Sequence, residues 1–166
     1  MEFWDIYDAD KKPTGRTMKR NDWCLKDGEY HLTVLGVVAR PDKTFLITKR
    51  VMTKAWAPGW WEVSGGAAQA GEGSREAVLR EVKEETGLDI TKCRYLFSIP
   101  NLYMYSGFEV HTVDMFFECH VENFNNVHAE DDAAEIVIMK KEELNADDFG
   151  LMSIKKAIGV YQKSNS

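Results

Sequence analysis

The sequence predicts an α/β fold with a mixed sheet, and three features of the 166-residue chain indicate it. Runs rich in β-branched and aromatic residues recur along the chain, as strands require. A helical pattern follows the first group of runs, between Ser74 and Gly87, and a second lies near the end of the chain. Strands with helices among and after them indicate helices layered on a mixed sheet.

The first two strands are expected to form a hairpin. Residues 31–40 are β-branched and almost continuously apolar, which indicates a buried strand. Residues 41–43 have turn chemistry and lead into a second strand at 44–50. The Trp-rich segment that follows contains Pro58 and several glycines, which exclude a helix interior. We therefore expect a loop there, followed by a short strand at 61–64.

A helix is expected to follow this loop. Ser74 has the chemistry of an N-cap, and Gly87 suits the position just past the C-terminus. On a helical wheel, Val78, Leu79 and Val82 form the stripe that faces the core.

The second half of the chain is predicted to contain further strands and a final helix. Aromatic and polar residues alternate through 93–101, 103–113 and 114–121, and a shorter apolar run occupies 136–140. Apolar residues then recur at helical spacing through 151–161, so we expect this helix to cover one face of the sheet.

The composition predicts one soluble domain over residues 1–166, because 44% of the residues are hydrophobic and 29% are charged. Residues 1–30 are expected to form an N-terminal extension, an added edge strand or part of a homodimer interface. No apolar run approaches the roughly 18–20 residues that a membrane helix needs, and the N-terminus does not resemble a secretory signal. We therefore expect a cytoplasmic protein without a membrane partner.

Charge and cysteine usage exclude further classes. Cys24, Cys93 and Cys119 are odd in number and widely spaced, unlike a disulfide framework or a zinc knuckle. A net charge of −6 with no basic stripe argues against binding to long nucleic acid. A small anionic substrate remains compatible, since a bound divalent cation reverses the charge of an acidic site.

Three carboxylates share one sector of the predicted helix, near its C-terminal end. Glu81, Glu84 and Glu85 stand at positions i, i+3 and i+4, which are neighbours on a helix. The helix dipole disfavours each carboxylate there by about 0.3–1 kcal/mol, so helix stability does not explain them. A hard cation, Mg²⁺ or Mn²⁺, would offset their mutual repulsion. An exposed acidic face paired with Arg80 and Lys83 is the alternative.

The wider spacing favours the metal site. From Gly66 the sequence fits G-x5-E-x7-R-E-U-x-E-E-x-G-U, where U is aliphatic, at every specified position through residue 88. Together with ITKR at 47–50 and W-E-x-S-G-G at 61–66, this pattern resembles the Nudix superfamily over most of the chain. The resemblance implies a Nudix-type α/β/α sandwich whose motif forms a loop, a helix and a loop. It also implies Mg²⁺- or Mn²⁺-dependent hydrolysis of a diphosphate linkage, typically in a nucleoside diphosphate derivative.

The resemblance also assigns residues. Glu81, Glu84 and Glu85 match the family's metal-binding glutamates, and the backbone carbonyl of Gly65 matches a further ligand. Gly66, Glu72 and Gly87 match positions that brace the motif.

Other matches concern catalysis and substrate. Arg80 matches the family residue that forms a salt bridge with the position of Glu72 and so braces the motif, and we count it among the candidate catalytic residues. Arg50 matches a position that often contacts phosphate, and Tyr105 lies near a substrate-binding tyrosine position. For the general base we favour Glu81, with Glu130 in the stretch HAEDDAAE as the rival, since some family members use a glutamate from a later loop.

A second likeness points to a different reaction. WDIYDADKKPTGR, EYHLTVLGVV and KAWAPGWWE resemble the isopentenyl diphosphate isomerase branch of the superfamily. That branch is expected to carry a cysteine and a metal-binding histidine before the motif, where this chain reads SGGAAQAGE. His31 does fit a histidine position of the isomerases. An isomerase and a non-catalytic nucleotide-binding module are therefore the alternatives to a hydrolase.

Overall fold

The structure is a computed structural model that describes residues 2–20, 22, 24–50, 61–105, 108–125, 127, 133–149 and 152–163. Its strands are β1 (Phe3–Tyr7), β2 (Pro13–Lys19), β3 (Tyr30–Ala39), β4 (Thr44–Arg50), β5 (Trp61–Glu62), β6 (Ser64–Ala67), β7 (Lys92–Tyr105), β8 (Phe108–His120) and β9 (Ala133–Lys140). Its helices are α1 (Ser74–Thr86) and α2 (Met152–Lys163), and two short 3₁₀ turns, Lys141–Glu143 and Ala146–Asp148, connect β9 to α2.

The predicted mixed α/β fold is confirmed. Strand β3 lies at the centre of the sheet and pairs in parallel with β8, whereas β1, β4 and β6 pair with β3 in antiparallel fashion. The predicted hairpin of β3 and β4 is present, with Val38 opposite Leu46. Strand β7 extends the sheet beyond β8, and β9 pairs with β4.

The sheet splits along one edge of β3, and this split positions the candidate site. Near its C-terminal end, β3 pairs with β4 at Val38 and Ala39. Further back, residues 33–36 pair with β6 instead, while β5 stays on β4. Strands β5 and β6, which flank Val63, therefore diverge onto two neighbouring strands.

The two helices cover opposite faces of the sheet. Val78 and Val82 of α1 pack with Val34 and Val38, the even-numbered residues of β3. On the other face, Leu35 and Val37 pack with the buried hydrophobic residues of α2, which are Ile154, Ala157, Ile158 and Tyr161. The α/β/α layering follows from the alternation of side chains along β3.

The N-terminal residues form a hairpin that joins the sheet. Strand β1 pairs with β2 and, through Ile6 and Tyr7, with the start of β3. Trp4, Ile6 and Met18 form a small buried cluster on the α2 side of this hairpin.

Three details differ from the sequence expectations. Leu79 is exposed rather than buried, because the buried face of α1 is rotated towards Ala77, Val78, Val82 and Thr86. Gly73 rather than Ser74 occupies the N-cap position. The three predicted strand segments between 93 and 121 are two long strands, since β7 continues through Pro100 to Tyr105 and β8 runs unbroken to His120.

In the part of the chain that the structure describes, neither helix is long and apolar enough to cross a membrane.

Candidate active site

Helix α1 carries the acidic cluster along the edge of β6. Its C-terminus is closed as the sequence predicts: Gly87 has φ +77° and donates its N–H to the carbonyl of Lys83 at 2.9 Å. With Val78 and Val82 buried against the sheet, Glu81 and Glu85 face β6, and half of the Glu84 side chain is exposed.

Arg80 joins the helix to the loop in front of it. Its Nε and Nη2 donate to the two carboxylate oxygens of Glu72, each at 2.8 Å, and Nη2 also donates to the carbonyl of Ala67 at 3.1 Å. Such two-pronged contacts fix geometry as well as charge. Glu72 accordingly has a lowered pKa, chiefly because of its hydrogen bond from Arg80.

The same guanidinium contacts two of the three glutamates. Nη1 of Arg80 donates to Oε1 of Glu81 at 2.9 Å and to Oε2 of Glu84 at 3.3 Å. Lys83, by contrast, pairs with Asp89 at 3.0 Å, at the exposed end of the helix.

Glu81 and Gly66 are in close contact. A Cβ atom built on Gly66 would lie 2.5 Å from Oε1 of Glu81, well inside any tolerable separation. The glycine therefore lets a carboxylate lie directly against the backbone of β6.

Burial makes the acidic cluster unfavourable in its ionised form. The pKa of Glu85 is raised well above its ordinary value by burial and then by repulsion from Glu62 and Glu81. The pKa of Glu81 is also raised by burial, against the opposing effect of Arg80. Two desolvated carboxylates beside each other are a functional-site signature, because a counter-charge would stabilise both.

Gly65 orients the edge of β6 towards these carboxylates. Its N–H donates to Oε2 of Glu85 at 3.3 Å, so it points away from β3. In an antiparallel ladder the carbonyl of such a residue points the same way as its N–H. The carbonyl of Gly65 is therefore directed to the split in the sheet, on the side where Glu85 lies.

Two further residues belong to this site although the sequence did not single them out. Glu62 on β5 is close enough to Glu85 to raise its pKa, and the W-E-x-S-G-G run contains it. Asp5 of the N-terminal hairpin accepts the N–H of Gly71 at 2.9 Å, and the carbonyl of Phe3 accepts the N–H of Ala70 at 2.7 Å. The hairpin thus braces the loop that contains Glu72.

The side chains of three predicted site residues lie outside the part of the chain that the structure describes. The backbone of Arg50 pairs with Ala133 at the end of β4, and that of Tyr105 pairs with Phe108, but both side chains lie outside the described part. Glu130 also lies outside the described residues.

His31 is buried on the α2 face. Its ring stacks on Trp4 with 4.1 Å between centroids, and burial lowers its pKa to about 3. This environment favours the neutral imidazole as a packed strand residue.

The residues fit a hard divalent cation in their chemistry. A bound cation would find oxygen atoms in the carboxylates of Glu81, Glu84 and Glu85 and in the carbonyl of Gly65, and it would favour the ionised forms of Glu81 and Glu85, whose pKa values are raised by burial. In the structure Arg80 supplies positive charge to Glu81 and Glu84, and no three His, Cys, Asp or Glu side chains of the described residues already enclose an ion position.

Comparison with known proteins identifies the family of the chain. The NUDIX domain profile matches residues 29–156. An uncharacterized Nudix hydrolase of Listeria innocua is 33% identical over 149 residues, covering 88% of this chain and 84% of that protein. The nucleoside triphosphatase NudI of Salmonella heidelberg is 29% identical over 119 residues, covering 68% of this chain and 84% of that protein.

The fold has counterparts among solved structures. A Deinococcus radiodurans protein superposes with a TM-score of 0.73 at 18% identity, covering 96% of this chain and 98% of that one. At this identity the likeness concerns the fold alone. The motif, the fold and the profile match together establish that the chain belongs to the Nudix family, as a Nudix pyrophosphohydrolase.

Proposed function

We propose that this chain hydrolyses a diphosphate linkage in a nucleotide or a related small molecule, with Mg²⁺ or Mn²⁺ as cofactor. The observation that carries the proposal is the pair of buried carboxylates, Glu81 and Glu85, at the split in the sheet beside Gly65. Desolvated acids of this kind are unfavourable in an ordinary surface helix and useful where a cation and a phosphate meet.

The ligands we assign are the carboxylates of Glu81, Glu84 and Glu85 and the carbonyl of Gly65. When bound, a divalent cation neutralises phosphoryl oxygens and makes a water molecule more acidic. The chain itself holds the ligands in place, and the contact between Gly66 and Glu81 restricts the position of the Glu81 carboxylate.

Arg80 is the positioning residue of this arrangement. Its two hydrogen bonds to Glu72 fix the loop, and its contact with Glu81 fixes a carboxylate one position along the helix. Because hydrolysis needs a group that accepts the proton of the attacking water, we assign Glu81 as the first candidate for that base. Its raised pKa favours this role, and Glu130 is the rival.

Nucleotides are the substrate class that we favour. The relative from Salmonella heidelberg, matched over 84% of its length, is a nucleoside triphosphatase. Diphosphate hydrolysis requires neutralised charge on the phosphoryl oxygens, which an acidic site with a bound cation provides.

The experiment separates the products by anion-exchange chromatography after incubation with nucleoside di- and triphosphates, ADP-ribose, nucleotide sugars, dinucleoside polyphosphates and isoprenyl diphosphates. Each substrate is tested with Mg²⁺, Mn²⁺ or EDTA. Metal-dependent cleavage is the expected result and names the substrate. Silence with every substrate contradicts a hydrolase; isomerisation of isopentenyl diphosphate would then identify the isomerase, and its absence a binding module.

A further inference from the structure

Ser64 is a buried serine on the strand that borders the acidic cluster. Its side chain is 1% exposed, and it lies at the start of β6, directly before Gly65. Burial of a hydroxyl group is unfavourable unless the group has a hydrogen-bond partner. The partner of Ser64 therefore indicates why a hydroxyl group is present at this position.

The strand register directs the side chain of Ser64 towards α1. Val34 of β3 packs against α1, and Gly66 is its partner on β6. Residues that are opposite each other in an antiparallel pair project from the same face of the sheet. Ser64 lies two residues before Gly66, and residues two apart on a strand also project from the same face. Ser64 and Gly66 therefore both face the helix that carries the glutamates.

Ser64 lies next to Glu85 in the same way as Gly66 lies next to Glu81. The two glutamates are one helical turn apart, and Gly66 contacts the carboxylate of Glu81. Burial raises the pKa of Glu85, and hydrogen bonds from the backbone of Gly65 and from the hydroxyl of Ser64 oppose this effect. Apart from Glu85, the hydroxyl has no hydrogen-bond partner among the described residues.

The donors to Glu85 are neutral, whereas the other two glutamates share a cation. The guanidinium of Arg80 donates to those two carboxylates at 2.9 and 3.3 Å. Glu85 instead accepts from the N–H of Gly65 at 3.3 Å and from the hydroxyl of Ser64. Among the side chains that the structure describes, no cation pairs with Glu85. Neutral donors orient a carboxylate without cancelling its charge, so the charge stays available to a metal ion.

We propose that Ser64 is a positioning residue of the metal site and that its hydroxyl holds the carboxylate of Glu85 in the orientation that binds the divalent cation. The inference rests on the proposed function, in which Glu85 is a metal ligand. Hydrogen bonds from the groups behind a ligand commonly fix its orientation, and loss of such a bond lowers metal affinity by about 10- to 100-fold.

The test measures the binding of Mn²⁺ alone, without substrate. Free Mn²⁺ has an electron paramagnetic resonance signal that weakens when the ion binds to protein, so a titration gives the Kd. Ser64→Ala removes only the hydroxyl group, and we expect it to raise the Kd about tenfold or more. Ser153→Ala is the matched control, because Ser153 is a buried serine of α2 on the opposite face of the sheet. It should keep the wild-type Kd.

Two further variants of Ser64 separate hydrogen bonding from packing. Ser64→Thr keeps the hydroxyl group and should keep the wild-type Kd. Ser64→Cys fills the same space with a thiol, which is a weak donor, so it should raise the Kd. The Ser64→Cys variant decides the matter if Ser64→Ala does not fold, which circular dichroism in EDTA establishes.

The outcomes separate this inference from the proposed function. Weaker Mn²⁺ binding in Ser64→Ala, with normal binding in Ser64→Thr and Ser153→Ala, supports the positioning role. An unchanged Kd in Ser64→Ala, or an equal loss of affinity in Ser64→Ala and Ser64→Thr, overturns that role and leaves the metal site standing. Absence of Mn²⁺ binding in the wild type overturns the metal site, and the role of Ser64 with it.

Discussion

The carboxylate of Glu81 occupies the space that a side chain on Gly66 would need, since a Cβ atom there would lie 2.5 Å from Glu81 Oε1. The motif therefore couples a residue of β6 to a residue of α1 by contact as well as by spacing. Because the conflict is with the far end of a flexible side chain, the chain can relieve it by moving Glu81 without unfolding.

Gly66→Ala should accordingly lower activity and spare the fold. We expect kcat to fall about 100-fold, because a displacement of about 1 Å in a catalytic group has that effect. Gly159→Ala is the matched control, since Gly159 lies in α2 with nothing within 4 Å of its built Cβ, and it should leave kcat unchanged. Circular dichroism checks folding, and wild-type turnover in Gly66→Ala would contradict the role assigned to the contact.

Glu84→Gln tests the metal site with little risk to the structure. Half of the Glu84 side chain is exposed, and its hydrogen bond from Arg80 is long at 3.3 Å, so removing the charge should leave stability almost unchanged. Loss of a ligand should remove most Mg²⁺- or Mn²⁺-dependent activity, by at least about 100-fold. Glu76→Gln, in the first turn of the same helix, is the control. Equal activity in the two variants would show that Glu84 is only part of an acidic surface.

Much of the site was predictable because its residues are close in sequence. The spacing from Gly66 to Gly87 placed Glu81, Glu84 and Glu85 on one helix face, and the resemblance identified Glu72 as the partner of Arg80. Both placements agree with the geometry. Local spacing is sufficient there because a helix turns a sequence interval into a fixed direction.

Contacts between distant parts of the chain were not predictable in this way. Asp5 and Gly71 are 66 residues apart, and no pattern in either segment indicates that they meet. Asp114 occupies a polar position in an alternating strand, which typically indicates solvent, yet α2 covers it. The burial of Leu79 was predicted wrongly. A helical wheel shows which residues share a face, but it does not show how far the helix is rotated about its axis relative to the sheet.

Metal binding should raise the thermal stability of the wild type, because only the folded chain assembles the ligands. At a metal concentration 100 times Kd the stabilisation is about 2.7 kcal/mol. Glu85→Gln should lose most of this effect, while its melting temperature in EDTA should exceed that of the wild type, since the amide avoids the cost that burial imposes on ionising the carboxyl group. Differential scanning calorimetry with Mg²⁺, Mn²⁺ and EDTA provides the measurement. An identical metal response in wild type and variant would argue against Glu85 as a ligand.

Asp5 should act on activity through the loop that it holds. Asp5→Ala removes one exposed hydrogen bond to Gly71, so the free energy of unfolding should fall by only about 1 kcal/mol. Because this loop fixes Glu72 and through it Arg80, kcat should fall more, about tenfold. Asp5→Asn keeps an acceptor oxygen and should restore kcat. If both variants lose stability and neither loses activity, the hairpin contributes to the fold alone.

Asp114 should give the protein a characteristic dependence of stability on pH. Burial raises its pKa from 3.8 to about 6, against the opposing effect of the Ser153 and Thr112 hydroxyls. The folded state therefore binds this proton more tightly than the unfolded state, and stability falls as the pH rises from about 4 to 6. Asp114→Asn removes the titration and should be more stable than the wild type at pH values near 7.5.

His31 acts in the opposite direction, so the variant must be compared with the wild type at each pH. Its pKa is lowered to about 3, and its contribution to stability is lost as the pH falls below its ordinary value of 6.5. The difference in unfolding free energy between variant and wild type cancels the contribution of His31. It also cancels that of Glu118, which lies on β8 with Asp114 and accepts hydrogen bonds from Tyr161 and Arg94. The advantage of Asp114→Asn, at most about 3 kcal/mol, should then shrink as the pH falls towards 4. Urea unfolding at pH values near 4.5, 6 and 7.5 measures it, and a difference that does not vary with pH would mean that Asp114 keeps an ordinary pKa.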